Sequence, residues 1–216
     1  MKRAEFIKYL KKRAILYTED DKTIKIIGGD VNLDGLSSIP NCVEFRNVDG
    51  VLLHSLEVLP SQTRFLNKGG VRFVRLRKLP KGYVFSNDGY VDLGKLRLPD
   101  GVEFRNGGDV SFFGCEYVPA STVFANDGDI SVFSDMPLAD GTVFENKGSV
   151  EFREGAISEG SLTFKNGKSV SIRELKCSGS GPVFQNGGDV RSDQTMHLPD
   201  ETEFKNDGSV RFDVAA

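Results

Sequence analysis

Nine phenylalanines, Phe45, Phe65, Phe85, Phe104, Phe124, Phe144, Phe164, Phe184 and Phe204, recur at a spacing of 20 residues with one spacing of 19, and each is followed two residues later by asparagine. A unit of this length is too short to bury a core of its own and too long for a coiled-coil heptad. Each unit must therefore be one turn of a solenoid that covers its apolar side with its neighbours. The period runs from about Thr23 to Phe212, which leaves room for one elongated domain in a chain of 216 residues. With 24 glycines, no tryptophan and frequent Asn-Gly and Asp-Gly pairs, the chain should form many short strands. The expected fold is mostly β: a single-domain β-solenoid over residues 23–216, about nine coils of 20 residues, behind an N-terminal helical cap over residues 1–22.

Each coil reads V-x-L, a leucine near the sixth position, Leu-Pro, then V/T-x-F-x-N-x-G. Six of the eight prolines, Pro40, Pro60, Pro80, Pro99, Pro119 and Pro199, stand five residues before the phenylalanine and mark a corner, because proline lacks a ladder donor. In the first strand, pairs such as Val71 and Phe73 or Val110 and Phe112 are spaced by two and should point inward, with Arg72 and Ser111 outward. In the second strand Val102, Thr122, Thr142 and Leu162 alternate with the phenylalanines, and the next step of two carries the asparagine inward.

That buried asparagine column, Asn47 to Asn206, is the informative polar feature. A primary amide has two donors and an acceptor with two lone pairs, so a stack of them can satisfy itself by bonding along the column and to the backbone of each bend. Asn-x-Gly also predicts a type II turn with a positive-φ glycine at its third position. Residues repeated in all nine coils serve stacking, so neither column is a candidate site.

Segments such as Gly108-Asp109-Val110-Ser111-Phe112 and Leu98-Pro99-Asp100-Gly101-Val102-Glu103-Phe104 resemble the leucine-rich-repeat-like arrays of bacterial and phage proteins, with units of about 20 residues and an L-P-x-G element. The likeness covers Gly29 to Phe212 and rests on turn and core residues. It implies a leucine-rich-repeat-like fold and a habit of binding proteins. Where a leucine-rich repeat places asparagine after the strand, this chain has Leu56, Leu76, Leu96 or Leu175 near position six, so a curved horseshoe and a straighter β-solenoid both remain open.

The ends of a solenoid expose strand edges and a slice of core, and need covering. Phe6, Ile7, Leu10, Ala14 and Ile15 fall at helical spacing among basic residues and should lid the first coil, the weak one around Ile24, Ile26 and Leu33. Beyond Phe212 there is no comparable segment, so this end is expected either to pair with a second copy through its open edge or to be protected only by Arg211 and Asp213. No apolar run approaches the roughly 18 residues of a membrane span, and Met1 to Lys12 has no signal-peptide core. The expectation is a protein without membrane contact, cytoplasmic or delivered into a host cell without a signal peptide of the usual kind. Cys42, Cys115 and Cys177 are spaced about three coils apart, roughly 14 Å at the ordinary strand spacing, so none should pair.

Residues 1–98 carry 18 Lys/Arg against 11 Asp/Glu, and residues 99–216 carry 10 against 20, which makes the rod dipolar. A net charge of −3 argues against nucleic acid as a partner. The basic run Arg72, Arg75, Arg77, Lys78 and Lys95 is one candidate contact for a protein partner. Phe113 and Phe133 are another: alternation places both rings outside on adjacent coils, although these coils lose the regular Leu-x-x-Leu-Pro and could instead fold the rings inward.

Catalysis is poorly supplied. His54 and His197 lie about seven coils apart, roughly 34 Å along the axis, and no nucleophile–base pair or phosphate loop is evident. Asp109, Asp127 and Asp129 could bridge calcium, but serine replaces the next members of the column, so neither metal nor cofactor is assigned. The sequence is read as a non-catalytic scaffold that recognises a protein along one face. The alternative is a carbohydrate-binding or polysaccharide-acting β-helix.

Overall fold

The computed structural model describes residues 1–47, 49–81, 83–94, 98–114, 117–133, 136–154, 156–158, 160–179, 181–193 and 196–212. Lys95, Leu96, Cys115 and the last four residues of the chain lie outside them.

The chain winds as a three-sided parallel β-solenoid. One side is formed by the Phe-x-Asn strands, with a seven-stranded parallel sheet from Val84–Asn87 to Glu203–Asn206 and a four-stranded sheet before it. The second side is a ten-stranded parallel sheet of the Val-x-Leu strands, from Val31–Asn32 to Val210–Phe212. The third is slighter: Met136–Leu138, Ala156–Ser158, Leu175–Cys177 and Met196–His197 form a four-stranded sheet, and earlier coils contribute the bridges Val58 to Lys78 and Val118 to Leu138. Equivalent residues pair coil to coil, as in Phe104 with Phe124 and Val110 with Ile130.

The inward columns pack as their period requires. Rings from Phe45 to Phe204 form an unbroken stack with neighbouring centroids 4.7–6.0 Å apart. Phe73, Phe112 and Phe152 enter from the facing side and meet it edge-on. Edge and face contacts complement the ring quadrupole, so the aromatic core holds an order that aliphatic packing would not impose. Inward Thr122 and Thr142 are reconciled with burial by donating to the carbonyls of Pro119 and Ala139 at 2.8 and 2.7 Å.

Beside the rings runs the amide column. From Asn87 to Asn206 each Nδ2 donates to the Oδ1 of the next coil's asparagine, at distances that shorten from 3.4 Å for Asn87–Asn106 to 2.7 Å for Asn186–Asn206. Most also donate to the carbonyl two residues on, as Asn126 does to Gly128 at 2.7 Å. Among the described residues the ladder begins at Asn87, and there the Oδ1 atoms of Asn67 and Asn87 are buried without a partner.

The turn glycines act differently from expectation. Positive φ occurs at Gly28, Gly35, Gly101, Gly141 and Gly181 but not at the Asn-x-Gly glycines, so a type II turn does not form there. Their lack of a side chain serves closeness instead. A Cβ on Gly148 would lie 2.3 Å from the Gly128 carbonyl oxygen, and one on Gly128 would lie 2.5 Å from the Gly108 carbonyl carbon. Backbone stacks on backbone at this corner. Gly101, Gly141 and Gly181 sit at the Leu-Pro corner, where Cys42 and Ser121 adopt φ of 61° and 57° in the places these coils give to glycine.

The N-terminus is covered in two ways. Helix Arg3–Lys12 buries Phe6 and Leu10 completely over the first coil, and Tyr17–Glu19 pairs antiparallel with Ile24–Gly28, blocking the sheet edge. The hairpin is held by Asp20, which accepts from the Lys22 and Thr23 amides at 2.9 and 2.7 Å. Ile26 registers with Phe45, so this first coil carries isoleucine at the head of the phenylalanine column.

Candidate partner-binding face

Just past the second side, the residue following each Val-x-Leu strand points outward, and successive coils align these residues in one column. Its members are tied by backbone bonds to the preceding coil: Gly94 N–H to Phe73 O, Phe113 N–H to Leu93 O, Phe133 N–H to Phe112 O and Arg153 N–H to Val132 O, at 2.9–3.1 Å. The central run is Val74, Gly94, Phe113, Phe133, Arg153 and Arg173.

The structure resolves the two readings of Phe113 and Phe133. Both rings are outside. They stack at 4.3 Å with 5° between planes, and Phe113 is 54 % exposed. Although these coils lose the regular Leu-x-x-Leu-Pro, Val118 and Leu138 fill the interior, so no ring is drawn in. On the far face of Phe133 lies the Arg153 guanidinium, its Cζ 4.2 Å from the ring centroid. Arg153 Nε also forms an ion pair with Glu151, two residues before it, at 3.2 Å. The order Phe, Phe, Arg is a rigid, amphipathic ridge, with ring faces and guanidinium preorganised on strand-anchored backbone. Sequence reading missed the part of Arg153, although aligning every residue after the Val-x-Leu strand would have placed it beside Phe133.

The basic run is divided rather than pooled. Arg72 lies on the ten-stranded sheet, its guanidinium 5.9 Å from the Tyr90 ring centroid and its register partner Asp92. Lys78 lies past a bend, on the third side, paired with Val58. Arg75, Arg77 and Lys78 are exposed. Lys95, the remaining member, falls outside the described residues.

The aspartate column is committed to the backbone. Asp109 Oδ1 accepts the Asp129 amide at 2.9 Å, and Asp129 Oδ1 accepts the Ser149 amide at 2.7 Å. Asp140 and Asp189 each take a backbone N–H and a hydroxyl from Ser161 and Ser209 in the next coil, and these bonds hold both carboxyls below the usual carboxylate range. Among the described residues no group of three or more His, Cys, Asp or Glu is placed to share a cation. Burial pushes the Cys177 thiol up to about 11, which leaves it a poor nucleophile.

Along the outer face of the Phe-x-Asn sheet runs a groove of about 690 Å³, from Ser86 to Lys205. Its walls carry both signs of charge, partly paired: Lys147 with Asp127 at 2.8 Å and Lys165 with Glu145 at 3.3 Å.

No protein-family model, curated protein or solved structure matches the chain. Among the described residues no helix is long and apolar enough to cross a membrane.

Proposed function

We propose that the chain is a non-catalytic scaffold that recognises a protein partner along the ridge of Phe113, Phe133 and Arg153. The observation that carries this reading is the outward Phe113–Phe133 stack closed by Arg153. Ring and guanidinium side chains are the residue types in which protein contacts concentrate their energy, and here their freedom is already restricted before binding. The basic residues Arg72, Arg75, Arg77, Lys78 and Lys95 form a secondary contact that steers an acidic partner surface to the positive half of the rod. In this reading the protein acts as a leucine-rich-repeat-like interaction module of bacterial or phage type, without cofactor, metal, nucleic acid or membrane contact, working in the cytoplasm or inside a host cell. Two copies join end to end through the outer strands Glu203–Asn206 and Val210–Phe212, where Phe204 and Val210 are each 39 % exposed.

A second reading draws on the groove of the Phe-x-Asn face, whose polar, charge-balanced walls suit a neutral carbohydrate chain. Affinity capture from host lysate separates the two. Phe113→Ala/Phe133→Ala should abolish retention of the partner, and Arg72→Glu/Arg75→Glu should slow capture and raise its salt sensitivity. Retention unchanged in both variants, together with glycan-array binding, would replace the protein-binding reading with the carbohydrate one.

A further inference from the structure

The ridge has an unfilled place. Phe133 is covered on both faces, by Phe113 and by Arg153. Among the described residues Phe113 is covered on one face only, by Phe133, and the column member on its other side is Gly94. Beyond Gly94 comes Val74, itself 53 % exposed. Two strand spacings separate the coils of Val74 and Phe113, about 10 Å, which accommodates one flat group in van der Waals contact on both sides. The gap is built in: a Cβ on Gly94 would lie 2.8 Å from the Val74 carbonyl oxygen and 2.9 Å from that of Phe73, so the backbone excludes a side chain at this position.

What fits the gap is shown by the other end of the ridge. There a guanidinium lies on the outer face of a phenylalanine and forms an ion pair with the acid two residues earlier, Arg153 on Phe133 with Glu151. At the Gly94 end the phenylalanine and the acid are present, with Arg72 beside the acid on the preceding coil, and among the described residues no guanidinium is stacked on the ring. Asp92 stands two residues before Gly94, on the outward side of the same strand, as Glu151 does before Arg153. Its carboxyl is half-buried, and burial raises its pKa, with Arg72 and His54 opposing. A carboxylate beside an open ring face is suited to a planar cation with several N–H donors.

We propose that the gap over Gly94 receives the guanidinium of an arginine on the protein partner, stacked on Phe113 and bonded to Asp92. This rests on the protein-binding reading above and specifies its chemistry. The bound arginine completes a symmetric order of guanidinium, ring, ring, guanidinium. Ammonium groups fit less well, because a point charge cannot fill a flat slot or bond both oxygens of a carboxylate in one plane.

The test uses N-acetyl-arginine amide as the probe and NMR of the intact chain as the readout. Titration should shift the Phe113 ring and Gly94 amide signals to saturation, with the uncharged isostere N-acetyl-citrulline amide binding about tenfold more weakly, the loss expected for one charge-assisted hydrogen bond. Asp92→Asn should weaken arginine by a similar factor and abolish the discrimination, and Phe113→Leu should remove the ring contribution while the amide spectrum shows the fold retained. Equal binding of arginine and citrulline, or signals that do not move, would overturn the proposal. The outcomes of the two readings are separable. A partner lost on Phe113→Ala but not displaced by the arginine probe leaves protein recognition standing and removes the arginine slot. A saturable arginine site with unchanged capture by Phe113→Ala/Phe133→Ala does the reverse.

Discussion

Asn126 donates through Nδ2 both to Asn146 Oδ1 at 3.0 Å and to the Gly128 carbonyl at 2.7 Å, so one side chain closes its own bend and ties it to the next coil. Asn126→Ala removes these donors and also the acceptor that Asn106 uses at 3.2 Å. The loss is expected to be about 2–4 kcal/mol, since buried polar partners are left unsatisfied. Asn67→Ala should cost clearly less: Asn67 bonds the Gly69 carbonyl at 2.6 Å, but its Oδ1 already lacks a partner. Urea denaturation of the two variants measures the difference, and equal losses would mean that the amide chain contributes nothing beyond local turns.

Two glycines should respond to alanine in different ways. At Gly128 the added methyl meets the carbonyl of Gly108 at 2.5–2.6 Å, backbone against backbone, with no flexible atom to yield. Gly128→Ala should lose several kcal/mol or fail to fold. At Gly101 nothing lies within 4 Å and only the φ of +69° opposes a side chain, so Gly101→Ala should cost about 1–2 kcal/mol. Thermal midpoints of the pair decide between crowding and conformational strain.

Ser121 holds a φ of 57° at the corner where Gly101, Gly141 and Gly181 occur in other coils. Relief of the left-handed strain outweighs the greater freedom glycine has when unfolded, so Ser121→Gly should stabilise the chain by about 0.5–1 kcal/mol. A destabilised variant in chemical denaturation would show that the serine makes a compensating contact.

Asp140 and Asp189 have lowered folded pKa values, caused first by the hydroxyls of Ser161 and Ser209 and then by the amides of the same serines. A depressed carboxyl stabilises the fold fully above its unfolded value and loses that contribution as the pH falls through the folded one. The wild-type advantage over Asp140→Asn/Asp189→Asn should therefore be constant near neutrality and shrink below about pH 4. An advantage independent of pH would place the effect in packing rather than in the ionised bonds.

The long-range order of this fold is legible in its sequence wherever a residue type repeats with the coil. Phe104 and Phe124, or Asn106 and Asn126, must meet once the period is known, because parallel register carries equal positions onto each other. Roles that depend on the distance between coils are hidden. Gly128 looks like a turn glycine from Asn126-Asp127-Gly128, whereas its requirement comes from Gly108 one coil away. The Tyr17–Glu19 strand has no repeat to reveal it and a length of only three residues. Phe113 and Phe133 were undecided because alternation and the broken leucine pattern pointed in opposite directions; Val118 and Leu138, which occupy the interior, settle where the rings go. Gly94 carries no chemistry of its own, so its place beside an open ring emerges only when the columns are assembled.

The most direct measurement is hydrogen exchange at the side-chain amides, resolved by ¹⁵N NMR. Exchange from Nδ2 of Asn126, Asn146 and Asn166 should be strongly slowed relative to exposed Asn32 and Asn41, and the protection should fall together when Asn146 is replaced by alanine. Exchange of those ladder amides at the rate of free asparagine would contradict a buried, coil-to-coil amide column and the rod built around it.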